Sequence, residues 1–226
     1  MRAAHPLDSI LNPVVRSFQT DQSEEVGMSK GTDTRQMIIA RTAAVLNVQG
    51  FHALSLADIM ATTGLEKGGI YHHFRGKDDL ALAAFDYAVG LTWGRLREAM
   101  RGKRHALDKL IALVEGYKSM ADDPPLPGGC PLLNTGVEAP HTHPALRDRA
   151  RAAMRALCHY IELIILHGQA RGELRAEVDA ATLPPLWLGT IEGGVLFAKL
   201  YDDPIYIHRA VDHVVSQINA TLRVPA

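Results

Sequence analysis

Apolar residues recur every three or four positions along most of this chain, which is the spacing of one face of an α-helix. The first stripe begins at Thr34, runs through Ile39, Ala43 and Leu46, and ends at Gly50. Prolines and glycines are dense at residues 122–129, so a loop is expected there. The pattern predicts further long helices at residues 78–100, 105–121, 144–171, 180–200 and 204–222.

The segment after the first stripe predicts two short helices joined by a tight turn. Ser55 is a good N-cap, because its hydroxyl can accept a hydrogen bond from a backbone amide of the first turn. Gly64 can take the left-handed conformation that ends a helix. The second helix would bury Ile70 and Phe74. Two short helices with apolar inner faces around a glycine turn are typical of a helix-turn-helix.

The residues of this region resemble the DNA-binding domain of the TetR family of bacterial repressors. The similarity runs without gaps from Thr34 to about Leu82 and rests on the segments LADI, GL, KGGIYHHF and KDDL. Downstream, GGCPLLNTGVEA followed by HPALRDRA is similar to the C-terminal domain of one TetR subgroup. The resemblance implies an all-α homodimer. Its three-helix N-terminal domain would bind palindromic operator DNA, and its larger helical domain would bind a small-molecule inducer.

Three parts of the chain are expected on this basis. Residues 1–33 would be a flexible N-terminal arm, and Met28 is an alternative start of translation. Residues 34–80 would be the DNA-binding domain. Residues 81–222 would bind the ligand and dimerise, with the last two helices in the four-helix interface that the family uses.

The candidate DNA contacts lie on the outer side of the second short helix. Lys67 can pair with a phosphate, Tyr71 can meet a phosphate or a thymine methyl, and His72 can reach a base edge. Gly68 and Gly69 each cost about 1 kcal/mol in a helix relative to alanine, and they would let the backbone approach DNA closely. With the residues that the resemblance adds, the expected DNA-binding set is Thr34, Ser55, Lys67, Gly68, Gly69, Tyr71, His72 and Lys77.

Charge and cysteine usage narrow the class of protein. The 226 residues carry a formal net charge of −1, so DNA affinity must come from a local basic patch and not from a general positive field. Two cysteines far apart in sequence fit a reducing cytoplasm. No apolar run approaches the roughly 20 residues of a membrane span. We expect a cytoplasmic protein that is associated with the nucleoid when bound to DNA.

The sequence gives less support to other kinds of site. No nucleophile elbow, Walker loop or dinucleotide fingerprint is present, so we expect no catalytic residue and no cofactor. An enzyme with a vestigial helix-turn-helix is the less favoured alternative. No metal is expected, because the local ligand clusters lack the paired spacing of a zinc site. These clusters are His141 with His143, and Cys158 with His159 and His167.

Several isolated side chains could line a pocket or belong to the core. The acids Glu138, Glu162 and Glu192 stand alone on predicted helices and are expected to be solvated or to line a pocket. The aromatic residues are expected mainly in the core, with a pocket lining as the alternative. They are Tyr87, Trp93, Tyr117, Trp187 and Phe197.

Cys130 is a candidate sensor. It follows two glycines at a predicted helix start, where the pKa of a thiol falls and its reactivity rises. TetR relatives with a Gly-Cys turn here include regulators that respond to electrophiles. The alternative, which we favour, is a small buried apolar residue, a common state of an unbonded cysteine. The sequence leaves open the inducer, the operator, the regulated genes and whether the protein acts as a repressor or as an activator or architectural DNA-binding protein. Glu66 stands where the family commonly has a small hydroxyl residue, so the operator sequence does not follow from the family resemblance.

Overall fold

A computed structural model describes residues 30–225, without the side chains of residues 30 and 140–142. Over these residues the fold is all-α, as expected, with one isolated β-bridge between Leu174 and Arg223. The described helices are α1 (Lys30–Ala53), α2 (Leu56–Thr63), α3 (Lys67–Tyr71), α4 (Lys77–Ala99), α5 (Ala106–Asp122), α6 (Pro131–Thr142), α7 (Pro144–Ala170), α8 (Leu183–Tyr201) and α9 (Ile205–Leu222).

The long helices after α1 follow the predicted segments to within three residues. Helix α8 begins at Leu183 instead of residue 180, with prolines in its first turn, where a missing N–H costs nothing. Residues 1–29 of the expected N-terminal arm, including Met28, lie outside the described residues. The assignment of residues 30–33 to that arm is wrong, because they form the first turn of α1. None of the helices in residues 30–225 is long and apolar enough to span a lipid bilayer.

The described residues divide into two compact units, and each unit joins distant parts of the chain. The first unit contains residues 30–91 and 126–153, which include α1 to α3, the beginning of α4, all of α6 and the beginning of α7. The second unit contains residues 92–125 and 154–225. The three helices expected to bind DNA therefore share a unit with a segment from the middle of the chain.

The core of the first unit is formed by the stripes that the sequence predicted. Ile39, Ala43 and Leu46 of α1 are all buried, and so are Ile70 and Phe74 around α3. Burying each large apolar side chain contributes about 1.5–3 kcal/mol. Helices as short as α2 and α3 are not stable alone and depend on this packing.

The second unit is built around α5, α8 and α9. Trp187 and Ile191 of α8 and Val211 and Val214 of α9 are buried in it. Helices α8 and α9 approach closely at Gly194, where an added Cβ would lie only 2.7 Å from the Cβ of Ala210. This close crossing of two helices is made within one chain.

Candidate nucleic-acid interface

A capping box fixes the start of α2. The Ser55 hydroxyl accepts a hydrogen bond from the Asp58 backbone N–H at 3.1 Å, and the Asp58 carboxylate accepts one from the Ser55 backbone N–H at 2.9 Å. The Ser55 side-chain and backbone hydrogen bonds hold the pKa of Asp58 below its ordinary value. Ser55 is exposed, but its hydroxyl is engaged in this cap. A DNA contact by Ser55 stays a prediction.

The turn between α2 and α3 has the geometry that its glycine predicted. Gly64 adopts φ 70° and ψ 14°, and its N–H donates to the carbonyl oxygen of Met60 at 2.9 Å. The buried Thr63 hydroxyl donates to the carbonyl oxygen of Ile59 at 2.6 Å. Leu65 is half-buried in the turn. These local bonds determine the direction in which α3 leaves the turn.

Helix α3 buries Ile70 and exposes its other residues. Lys67, Gly68, Gly69, Tyr71 and His72 are all exposed. The Lys67 ammonium lies 5.7 Å from the centroid of the Tyr71 ring. A cation and an aromatic ring therefore stand together on one outer surface, as a contact with phosphate and base edges requires.

The two glycines of α3 are not required by packing against any of the described residues. A Cβ at Gly68 would meet nothing within 4 Å, and a Cβ at Gly69 would make ordinary contact with Leu65 at 3.7 Å. Neither glycine has a positive φ. The helix stability that these glycines cost is therefore not offset by closer packing among the described residues of the first unit. This favours an external partner that approaches the backbone of α3.

The remaining expected contacts flank α3. Thr34 is half-buried near the start of α1, and the guanidinium of its neighbour Arg35 lies 5.0 Å from the Phe74 ring centroid. Lys77 begins α4, and its ammonium lies 4.3 Å from the Phe51 ring centroid. The structure therefore holds Lys77 against an aromatic ring, a contact that the sequence did not predict.

Polar residues that support this region were missed or misjudged from the sequence. Asn47 is buried next to the apolar stripe of α1, and Asn134 and Glu138 of α6 bond to the end of α1. The expectation that Glu138 is solvated or lines a pocket is wrong, because its carboxylate accepts hydrogen bonds from two backbone amides. The one feature of the local sequence that indicated these contacts was Asn47, an asparagine among buried apolar neighbours.

Cys130 occupies the N-cap of α6, as predicted, and is half-buried. Its carbonyl oxygen accepts a hydrogen bond from the Asn134 N–H at 3.1 Å. The preceding glycines, Gly128 and Gly129, have φ values of 96° and 83°, which is why glycine is needed there. Cys158 is half-buried on α7, and burial raises the pKa of its thiol. Among the side chains that the structure describes, which leave out His141 of the first cluster, no three potential metal ligands come together.

Comparisons with known proteins agree with this geometry. Residues 38–84 match the model for bacterial regulatory proteins of the tetR family, and residues 106–214 match that for the tetracyclin repressor-like C-terminal domain. A TetR transcriptional regulator from Chloroflexus aurantiacus superposes with a TM-score of 0.84 and 42% sequence identity, over 88% of this chain and 100% of that one.

Two further relatives are similar over most of their length. A TetR-family regulator from Cytophaga hutchinsonii has a TM-score of 0.80 and 33% identity, over 89% of this chain and 100% of its own. An uncharacterised HTH-type transcriptional regulator of Mycobacterium tuberculosis is 28% identical over 174 residues, which are 75% of this chain and 86% of that protein.

Proposed function

Because the chain belongs to the TetR family of bacterial transcriptional regulators, we propose that it is a repressor that binds a palindromic operator as a homodimer and is released by a small-molecule inducer. Residues 34–80 are assigned to DNA binding and residues 81–222 to ligand binding and dimerisation. The observation that carries the proposal is the outer face of α3, where Lys67 and Tyr71 stand beside two glycines that internal packing does not require.

In this proposal each α3 lies in a major groove, about 34 Å from its twin in the partner subunit. Lys67, Lys77 and Thr34 contact phosphates and set the register of the protein on DNA. Tyr71 and His72 meet base edges and supply sequence preference. Unbound protein is expected in the cytoplasm, and bound protein on the nucleoid.

The outer face of α8 supports dimerisation. Leu186, Leu196 and Leu200 are 48–69% exposed in the single chain, and they recur at helical spacing. Gly189 and Gly193 lie on the same side of α8, and a Cβ at either would meet nothing within 4 Å. An apolar stripe interrupted by small residues suits close packing against a second copy of the helix, which would bury it.

Trp93 supports an inducer site in the second unit. Its ring packs edge-on against Tyr160 with centroids 4.9 Å apart. Its indole Nε1 is buried and has no hydrogen-bond partner among the described residues. A buried donor without an acceptor costs about 1–3 kcal/mol, so a ligand carrying an acceptor would gain by filling that position.

A thiol-sensing repressor is the second candidate function. The observation that favours it is the position of Cys130, next in sequence to Gly129, whose carbonyl oxygen accepts a hydrogen bond from the Asn47 side chain at 2.8 Å. Alkylation of the half-buried thiol would add a group to the residue that follows this bond in sequence.

Binding of the wild-type protein to its own upstream region tests the proposed function. Fluorescence anisotropy with duplexes tiled across that region should find one palindromic site bound by a dimer, with affinity that falls steeply as salt increases. Equal affinity for every duplex, including a scrambled one, would overturn the proposal of an operator-specific repressor.

A further inference from the structure

The end of α1 is bonded to a segment that follows it by more than 80 residues. The Asn47 side-chain amide donates to the carbonyl oxygens of Pro127 and Gly129, at 2.7 and 2.8 Å. In return, the Asn134 side-chain amide donates to the Asn47 carbonyl oxygen and to that of Gly128, both at 2.9 Å. We call residues 127–143, which make these and the following contacts, the clasp.

The fit between α1 and the clasp leaves no space for a side chain at Gly128. A Cβ there would lie 2.6 Å from the carbonyl oxygen of Asn47. Asn47 is buried, so its bonds to the clasp are shielded from competing water. The loop therefore rests directly on the backbone of α1.

A carboxylate of the clasp caps the backbone where α1 is interrupted. Gly50 has φ 79° and ψ 170°, so the residues after it begin a new turn with exposed amides. Glu138 satisfies two of them, accepting from the Phe51 N–H at 2.8 Å and from the His52 N–H at 2.7 Å. This turn leads directly through the buried Leu54 to Ser55, the cap of α2.

The third contact connects the clasp with an expected DNA contact. The ring of His143 packs edge-on against the ring of Phe51, with centroids 4.3 Å apart. The Phe51 ring also holds the Lys77 ammonium at 4.3 Å from its centroid. The His143 Nδ1 accepts a hydrogen bond from the Leu146 N–H at 3.0 Å, which fixes the orientation of the imidazole.

We propose that Asn134, Glu138 and His143 are positioning residues for DNA binding, which hold the turn at Phe51 and thereby aim α2, α3 and Lys77 at the operator. This inference rests on the proposed function. All these contacts lie within the first unit, while both ends of residues 126–153 continue into the second unit. Within residues 30–225, the chain passes between the units at three places, within α4, just before the clasp and within α7.

Two variants of the full-length chain test the clasp by different routes. Glu138→Gln keeps the size of the side chain but points an NH2 group at a backbone N–H. Gly128→Ala changes no polar side chain but pushes against the Asn47 carbonyl. Each should weaken operator binding by about tenfold, the effect of losing about one hydrogen bond. Anisotropy titrations are made on each variant that circular dichroism shows to be folded and size-exclusion chromatography shows to be in the wild-type oligomeric state.

Matched controls separate the clasp from general effects. Glu177→Gln makes the same chemical change at an exposed site of the second unit. Gly102→Ala introduces alanine at a similar positive φ of 79°, but its Cβ meets nothing within 4 Å. It therefore reports backbone strain alone. Both controls should bind the operator with wild-type affinity.

A double-mutant cycle with Lys77→Ala distinguishes positioning from mere stabilisation. If Glu138 acts by aiming Lys77, the double variant loses less affinity than the sum of the two single variants, and Glu138→Gln alone lowers the salt slope by about one phosphate contact. A purely structural role would lower the melting temperature and leave the effects on affinity additive.

The outcomes separate the two proposals. Additive effects, or wild-type affinity in both clasp variants, overturn the clasp while the wild type still binds its operator. Failure of the wild type to bind any duplex specifically overturns the proposed function, and the clasp with it.

Discussion

The ammonium group of Lys67 lies 5.7 Å from the centroid of the Tyr71 ring, one turn further along α3. Such a cation–π contact at an exposed site contributes about 0.5–1 kcal/mol. It holds two proposed DNA contacts on the same surface before DNA arrives. Less side-chain freedom is then lost on binding, so the two residues are expected to act together.

Lys67→Ala and Tyr71→Ala should each weaken operator binding, by about five- to twentyfold. Lys67→Ala should also reduce the slope of log affinity against log salt by about one, because a phosphate contact is lost. Tyr71→Ala should change that slope much less. Anisotropy titrations at several salt concentrations measure both effects. Lys103→Ala removes an exposed lysine outside residues 34–80 and is the control. Wild-type binding by both α3 variants would contradict the assignment.

Phe197→Glu combined with Leu200→Glu should prevent dimerisation. Both side chains are exposed on α8 of the single chain, and in a dimer the new carboxylates would be buried without partners. The dimer dissociation constant should rise by more than about a hundredfold. Analytical ultracentrifugation measures it, with Val137→Glu as a control that puts the same charge on an exposed apolar site of α6.

Point variants are preferable here to deletion of α8 and α9. Trp187 and Val211 are buried within the second unit, so a chain that ends at Ala180 would lose its own core. If the double variant remains a dimer, the interface lies elsewhere.

Asp86 should make stability depend on pH. Its side chain is 15% exposed and accepts a hydrogen bond from Arg149; burial raises its pKa to about 6 despite the arginine. An unfolded aspartate has a pKa of about 3.9, so the folded state takes up the proton first as pH falls. This contribution to stability is fully present below about pH 4 and is lost as pH rises through about 6.

The comparison with Asp86→Asn isolates this effect, because asparagine does not titrate. The free energy of unfolding of the wild type minus that of the variant should increase by about 1 kcal/mol between pH 7.5 and pH 5. Urea unfolding at the two pH values measures it. A constant difference for Asp86→Asn would refute the raised pKa.

If Cys130 is a sensor, N-ethylmaleimide should weaken operator binding by the wild type and leave Cys130→Ser unchanged. The Cys158→Ser variant should respond like the wild type, because burial raises the pKa of Cys158 and leaves little of the reactive thiolate. Operator affinity is measured before and after treatment. Equal responses in all three proteins, or none, would leave Cys130 as a packing residue and favour a non-covalent inducer.

The helix-turn-helix could be predicted because its signals are local. Ser55 and Asp58 are three residues apart, and Gly64 terminates α2 through its own backbone. The buried positions Ile70 and Phe74 follow from helical periodicity. Each of these features depends on residues within one or two turns, so the sequence alone specifies them.

The clasp could not be predicted, because its bonds join residues far apart in the chain. Asn47 and Gly129 are 82 positions apart, and polar contacts of this kind leave no periodic pattern.

The aromatic residues show a similar limit to prediction from sequence. Trp93 and Trp187 are buried as expected, whereas Phe197 is 48% exposed, and helical spacing alone does not distinguish a core stripe from an interface stripe.

The bonds between Asn47 and residues 127–134 also bear on the engineering of new biosensors from this chain. A chimera that joined residues 34–80 to the ligand domain of another regulator would leave Asn47 facing unmatched groups and the Phe51 and His52 amides without their carboxylate. Such a hybrid would keep the DNA-binding helices but lose the contacts that hold them in position. An exchange that transfers residues 126–153 together with the helix-turn-helix would keep every one of these bonds.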